Sequence, residues 1–254
     1  MYPVLFQIGG ISLYTYGLFI ALGFIAGIAI AKAEARRLGR SPERITDLCF
    51  FILIAAIVGS RVFYVLTTPS TFLESPLEVF KIWNGGLVFY GGFIGALITV
   101  AVYLKRHAMP LWETLDILAP AMAFGHFLGR IGCFFAGCCF GKSCDLPWAI
   151  TFTHPETLAP PGIALHPTQL YSAGANLAIF GILWLTRTRK GFSGQTALTY
   201  VILYGISRGI IEIFRADFRG HFLFGTISIS QLISVLFALA AAVLWAYLKG
   251  RTRG

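Results

Sequence analysis

HFLGRIGCFFAGCCFGKSC, from His126 to Cys144, is the stretch richest in reactive side chains. It sets Arg130 in an otherwise apolar segment and follows it with Cys133, Cys138, Cys139 and Cys144. An arginine at mid-membrane costs roughly 2.5–3.5 kcal/mol on insertion scales, so Arg130 needs a partner, a wet cavity or a route to the interface. Gly125, Gly129, Gly132 and Gly137 around it favour close backbone approach, as at a ligand or an irregular helix end. A second polar group lies in YGISRGIIEIFRADFRG, where Tyr204, Arg208, Glu212 and Arg215 recur at helical spacing and share one face. Arg208 and Glu212, four apart, either neutralise each other as a structural pair or meet Arg130 across a polar cavity. In the second case guanidinium groups oriented by a carboxylate grip phosphate bidentately, which suits a phosphorylated lipid headgroup.

Further candidates each have two readings. Arg61, in GSRVFYVL, supplies a third cation or anchors the interface beside Tyr64. His166 opens HPTQLY, where the His-Pro pair is a rigid helix start or part of a site. His126 lies one helical turn before Arg130, where it is a packing group or an imidazole placed to act as a base. The cysteine spacing C-x4-C-C-x4-C lacks the tight C-x-x-C pairs usual for zinc or iron–sulfur, so no metal and no cofactor is expected. A local disulfide of Cys138 or Cys139 with Cys144, in an oxidising compartment, and catalytic thiol chemistry are the other readings. Cys49 stands alone and reads as a packing residue.

The elements that must position these groups are membrane helices. The 254 residues are 57% hydrophobic and only 12% charged, with a mean hydropathy of +0.76, too apolar to cover a soluble surface. Seven windows are long enough to span: about 12–35, 45–66, 87–105, 112–137, 169–187, 194–214 and 229–248. The fold class is therefore all-α, a polytopic integral membrane protein of seven transmembrane helices in one domain. The N-terminus lacks a basic region before its apolar run, so the first window is expected to stay in the membrane.

The net charge of +9 reads as topology and excludes nucleic acid as a partner. Lys32, Arg36, Arg37, Arg40, Arg44, Lys105, Arg106, Arg187, Arg189, Lys190, Lys249, Arg251 and Arg253 fall in alternate connections and the C-terminus. The positive-inside rule makes that side cytoplasmic, giving an N-out/C-in chain. Arg61, Lys81, Arg130, Lys142, Arg208, Arg215 and Arg219 then lie in outer loops or outward half-spans, so the function faces outward. Between windows two and three, Phe72, Leu77, Phe80 and Trp83 form an amphipathic run suited to the interface. The connection from about Cys138 to Thr168 is the longest and is rich in proline.

Ordered motifs along nearly the whole chain resemble the bacterial prolipoprotein diacylglyceryl transferase family. IGGISLYTYGLFIALGF is similar to the family's opening through Tyr16 and Gly17, and GSRVFYVL to its Gly-Ala-Arg…Tyr motif through Gly59, Arg61 and Tyr64. WNGGLVFYGGFIG resembles the double-glycine motif through Gly85, Gly86, Gly91, Gly92 and Gly95. DILAPAMAFGHFLGRIGCFFAGCCFG resembles the family signature at Asp116, Pro120, Gly129, Arg130, Gly132, Phe134, Gly137 and Gly141. HPTQLY, YGISRGIIEIFR and SISQLIS are similar to three further motifs.

The resemblance implies transfer of the diacylglyceryl group of phosphatidylglycerol to the lipobox cysteine of a preprolipoprotein signal peptide. A thioether forms and glycerol phosphate is released at the outer face of the bacterial cytoplasmic (inner) membrane. It implies catalytic roles for Arg130, Arg208 and Glu212 and for the position of Tyr90, and His126 joins them as a catalytic candidate from its own place beside Arg130. It places Tyr16, Arg61, Gly129, Gly132, Cys133, Gly141, His166, Gln169 and Tyr204 against substrate. Departures from the family pattern fall at three places. Tyr90 stands where the family often has histidine, Cys133 where it has asparagine, and Ala136-Gly137-Cys138 where it has Asn-Gly-Glu. His126 is expected to take over the missing histidine's role. A divergent relative with another lipid donor or acceptor, and a non-catalytic lipid-binding or transport protein, are the competing functions.

Overall fold

The computed structural model describes residues 2–8, 11–69, 72, 75–81, 85–216, 222–223 and 227–252. Among them are seven helices of at least eighteen residues: α1 Thr15–Arg37, α2 Pro42–Thr67, α3 Phe89–Arg106, α4 Leu111–Ala136, α5 Thr168–Thr186, α6 Gln195–Glu212 and α7 Ile229–Arg251. Each falls within a few residues of an expected window. Four of them, α1, α2, α4 and α7, are long and apolar enough to cross a membrane. In α5 and α6 the hydropathy is lowered by polar groups turned inward, such as Gln169, Ser172 and Asn176 on the buried side of α5.

The chain is mostly helical, as expected, with a few short strands added. Three antiparallel pairs add short strands: β1 Val4–Ile8 with β2 Ile11–Tyr14, β3 Ile150–Thr151 with β4 Ala164–Leu165, and β5 Phe222–Leu223 with β6 Ile227–Ser228. Residues 12–14, expected at the start of the first span, belong to β2, where ISLY alternates apolar and polar side chains. Thr15 begins α1, and its amide binds the Pro3 carbonyl at 2.9 Å. Phe72 is also corrected: it is buried, edge-on to Tyr64, while Leu77 and Phe80 are exposed. Trp83 and Arg219 lie outside the described residues.

The chain divides into two compact units, residues 31–114 and residues 1–30 with 115–254. In the first, α2 and α3 approach through small residues. A Cβ on Gly91 would lie 2.2 Å from the Gly59 carbonyl oxygen, and one on Gly95 would lie 2.6 Å from that of Ala55. Arg61, buried on α2, binds the backbone of the segment before α3, donating to the carbonyls of Val79 (3.0 Å), Gly85 (2.7 Å), Gly86 (3.2 Å), Lys81 (3.3 Å) and Glu78. Gly85 and Gly86 have φ of +84° and +71°, the left-handed backbone that turns both carbonyls toward the guanidinium.

In the second unit Ala119 and Ala123 of α4, Ile179 and Leu183 of α5, and Ala197 and Tyr200 of α6 make one buried cluster. Asp116 ties it together. Its carboxylate accepts the amides of Gly194 (2.8 Å) and Ala197 (3.0 Å) and pairs with Lys190 at 3.0 Å, capping α6 from a neighbouring helix. Asp116 and the double glycine, both in motifs that resemble the family's, thus have structural work in this fold.

Candidate active site

Arg130 projects from the last two turns of α4, where Gly129 and Gly132 keep the helix surface low. A Cβ on Gly132 would come within 3.0 Å of Phe19 and 3.3 Å of Tyr16 on α1. Among the described residues no hydrogen bond or ion pair engages the Arg130 guanidinium. Cys133, Cys139 and Tyr204 are its electrostatic neighbours, with Arg215 as a repelling one. One turn earlier His126 Nδ1 lies 2.8 Å from the Tyr200 hydroxyl, and its ring sits 5.4 Å from that of Tyr204.

The carboxylate of Glu212 organises the other cations. It binds Arg208, one turn back on α6, faces Arg215 Nε at 3.8 Å, and accepts the Ser228 hydroxyl at 3.0 Å. The side chains of Arg208 and Glu212 are only 12% and 8% exposed. Such an enclosed pair needs further partners to offset its desolvation, and Ser228 is one. Ser228 also caps α7 by accepting the Gln231 amide at 3.1 Å, so the entrance of the last helix is fixed to Glu212. Among the described residues three guanidiniums, those of Arg130, Arg208 and Arg215, face one carboxylate here, a field that favours an anion.

Between α4 and α5 the cysteine loop is held from several sides. The Cys138 amide closes the helix end on the Cys133 carbonyl at 3.2 Å. Thr168 Oγ1 donates to the Cys139 carbonyl (2.7 Å) and Gln169 Nε2 to that of Cys138 (2.8 Å). Gly141 pairs with the His166 carbonyl at 3.0 Å and Lys142 with that of Phe214 at 2.8 Å, joining the loop to the end of α6. A Cβ on Gly141 would sit 2.5 Å from His166 Cβ, which leaves room for glycine alone. These bonds turn Cys138 and Cys139 toward Cys133, and the three sulfurs lie within 4.8 Å of one another. The expected disulfide to Cys144 is therefore corrected: all five cysteines are thiols, and Cys144 lies outside the cluster with its amide on Ala164. Hydrogen bonds with the Cys133 and Cys138 thiols, reinforced by Arg215, push the Cys139 thiol well below its ordinary range. Hydrogen bonds with Cys133 and Cys139 push Cys138 up.

Beside the loop is a pocket of about 430 Å³ lined by Pro3, Tyr14, Tyr16, Ala136, Cys138 and Leu158 among others. Of the expected site residues, Arg130, His126, Tyr204, Cys133 and Tyr16 gather around the end of α4, and Arg208 and Glu212 join them through Arg215. Gln169, His166 and Gly141 act on the loop's backbone, and His166 Nδ1 also meets the Tyr171 hydroxyl at 3.1 Å. Arg61 differs from expectation: its N–H groups are directed at backbone carbonyls, which leaves no donor for a phosphate. Tyr90 belongs to the same unit as Arg61 and is 61% exposed at the start of α3. Sequence reasoning missed two partners. Ser228 was signalled only by the capping pattern of SISQLIS, and Tyr200 by its position one turn before Tyr204.

The fold and site thus define a multi-pass helical membrane protein carrying an arginine-rich, anion-favouring centre in one of its units. The sequence pattern described as prolipoprotein diacylglyceryl transferase matches residues 3–247, and the chain belongs to that family. It is similar to the phosphatidylglycerol–prolipoprotein diacylglyceryl transferase of Clostridium tetani, 37% identical over 236 residues that cover 92% of this chain and 93% of the relative. The proteins of the same name from Solidesulfovibrio magneticus (35% identical, 92% and 89% covered) and Synechocystis (34%, 97% and 89%) are similar along the same length. It is a transferase.

Proposed function

We propose that this chain transfers the diacylglyceryl group of phosphatidylglycerol to the lipobox cysteine thiol of a preprolipoprotein signal peptide. The observation that carries the reading is the Arg130 guanidinium, whose donors are uncommitted among the described residues, close to the Glu212-ordered pair of Arg208 and Arg215. The acceptor sulfur attacks the glyceryl carbon that bears the phosphate ester, the C–O bond breaks, and glycerol phosphate leaves with the electron pair. Negative charge grows on the departing phosphate, where donors aimed in advance lower the barrier most. Arg130 and Arg208 bind that phosphate, Glu212 orients Arg208, and the surrounding cations favour the attacking thiolate. Tyr16 and Leu158 in the pocket suit the apolar parts of lipid or peptide.

His126 serves as the base or as a group that orients it. His126→Ala is expected to lower kcat/KM about 100-fold, the scale of a lost general base. Parent-like activity of that variant would remove the role. In the cell all seven helices span the inner membrane with the N-terminus out and the C-terminus in, and the site opens to the outer side. Alternate loops carrying most of the lysines and arginines support this orientation. The test of the function is direct: purified protein, phosphatidylglycerol vesicles and a lipobox peptide are incubated and the peptide is weighed by mass spectrometry. Gain of one diacylglyceryl group by the Cys peptide and none by its Ser counterpart is expected; no gain on either peptide overturns the proposal.

A further inference from the structure

The linear spacing of the cysteines argues against a metal, but the folded loop gives them a geometry that spacing does not reveal. We propose that Cys133, Cys138 and Cys139 form a three-thiolate site for a thiophilic d10 cation, Zn²⁺ in the first instance, with the fourth coordination position open to the adjacent pocket.

The site is built. Cys133 closes the last turn of α4, and Cys138 and Cys139 follow the left-handed Gly137 (φ +71°). Cys139 is itself left-handed, with φ of 62°, a conformation that a non-glycine residue rarely adopts without support. The support is present: Thr168 and Gln169, both fully buried at the start of α5, hold the carbonyls of Cys139 and Cys138. The consequence is that two adjacent side chains, which would diverge in an extended segment, converge with Cys133 so that all three sulfurs lie within 4.8 Å. Zinc–sulfur bonds of about 2.3 Å at tetrahedral angles place sulfurs roughly 3.8 Å apart. Closure on a metal therefore asks the sulfurs to draw together by no more than about 1 Å.

Charge fits as well. Three thiolates and one dication leave a negative centre, and Arg130 and Arg215 stand within electrostatic reach of it. Among the described residues no fourth protein ligand belongs to the cluster, while Cys138 also lines the pocket. Three protein ligands and one exchangeable position is the arrangement of reactive rather than purely structural zinc. The ligand that the proposed transfer would bring to that position is the acceptor thiol, and this second half of the inference rests on the transferase reading. On binding, the thiol proton passes to the base of the proposed transfer and the sulfur stays on the metal as thiolate. It then attacks the glyceryl carbon as above, and the resulting thioether, a weaker donor, leaves.

Metal content tests the first half without any activity measurement. Protein purified in detergent without chelators is expected to hold about one zinc per chain by elemental mass spectrometry. The content should fall at least tenfold in Cys133→Ser/Cys138→Ser/Cys139→Ser and stay unchanged in Cys49→Ser and Cys144→Ser. So that the test does not depend on the triple variant folding, the parent is also stripped and reloaded with Co²⁺, which should give thiolate-to-cobalt charge-transfer absorption. Copper(I) bound with the same cysteine dependence would equally support a thiophilic site. Metal content unchanged in a folded triple variant, no metal and no cobalt band in the parent, or a disulfide between two of the three in protein isolated without reductant would each overturn the site. For the second half, a Cys lipobox peptide should shift the cobalt spectrum and its Ser counterpart should not. A loaded protein whose spectrum ignores both peptides sinks the acceptor role alone, whereas failure of the transferase reading shows as absent mass gain in the transfer assay.

Discussion

Arg61 and Arg130 both lie in apolar helices and both fall in motifs that resemble the family's, yet they are treated in opposite ways. Around Arg61 the chain wraps five carbonyls, two of them turned inward by left-handed glycines, and the Tyr64 and Phe72 rings flank the guanidinium at 5.4 and 5.5 Å. Around Arg130 the described chain supplies neighbours but no hydrogen bond. A buried cation must be compensated, so a guanidinium whose donors the protein fills is structural, and one it leaves open is set for a ligand that brings its own negative charge. The two arginines cannot be told apart by residue type or motif; they differ in where their N–H groups point.

The strongest way to break this comparison is to remove each arginine in turn. Arg130→Ala should lower kcat/KM for diacylglyceryl transfer by at least about 100-fold, the loss typical of one preorganised charge-stabilising donor, with thermal stability near that of the parent. Arg61→Ala should do the reverse in kind. Several carbonyls lose their donor at once, at a cost of about 3 kcal/mol or more, so the folded yield and melting temperature fall before any kinetic effect is read. Equal loss of stability in both variants, by detergent thermal melts, would erase the distinction. Arg130→Lys should recover only part of the activity, because an ammonium keeps the charge and loses the planar fork.

Glu212→Gln sharpens the comparison from the other side. The amide keeps the shape but removes the charge that holds Arg208 and Arg215, so both should turn toward the substrate phosphate or toward each other. We expect roughly a tenfold fall in kcat with a smaller change in KM, because the misplacement matters most where phosphate charge develops. Ser228→Ala, which removes one hydrogen bond worth about 1 kcal/mol, should give a milder version of the same kinetic pattern. A pure KM effect in Glu212→Gln would mean that the carboxylate serves ground-state binding only.

The helices and the cationic residues were legible because both follow from simple rules: apolar length sets the spans, and a charge inside a span must be accounted for. Helical spacing likewise put Tyr204, Arg208, Glu212 and Arg215 on one face, and the structure joins Arg208 and Arg215 through Glu212. What was not legible depends on chain segments distant in sequence. Arg61 reads as a cation for substrate until the carbonyls of residues 78–86 are folded onto it. The cysteines read as a disulfide pattern until Thr168 and Gln169, about thirty residues further on, set the loop's direction. The short β1–β2 pair was hidden because ISLY sits against an apolar helix, and its alternation is lost inside a longer hydrophobic run. Tyr200 was overlooked because nothing in its local sequence says that its hydroxyl faces His126.

That hydroxyl carries the smallest and most specific of the expected effects. At 2.8 Å the Tyr200–His126 contact is a hydrogen bond of either sense. If His126 Nδ1–H donates to the Tyr200 oxygen, Nε2 keeps its lone pair and can take a proton; if the tyrosine donates, Nε2 carries the proton and the ring can only position or donate. Tyr200→Phe removes the partner without removing the ring, so a base role predicts about a fivefold fall in kcat/KM as the tautomer and orientation relax, the scale of one neutral hydrogen bond. The effect should vanish in the His126→Ala background, because the hydroxyl acts only through the imidazole. Two independent losses, multiplying in the double variant, would instead place Tyr200 in the site by its own contact and leave His126 as a neighbour of Arg130 with a separate task.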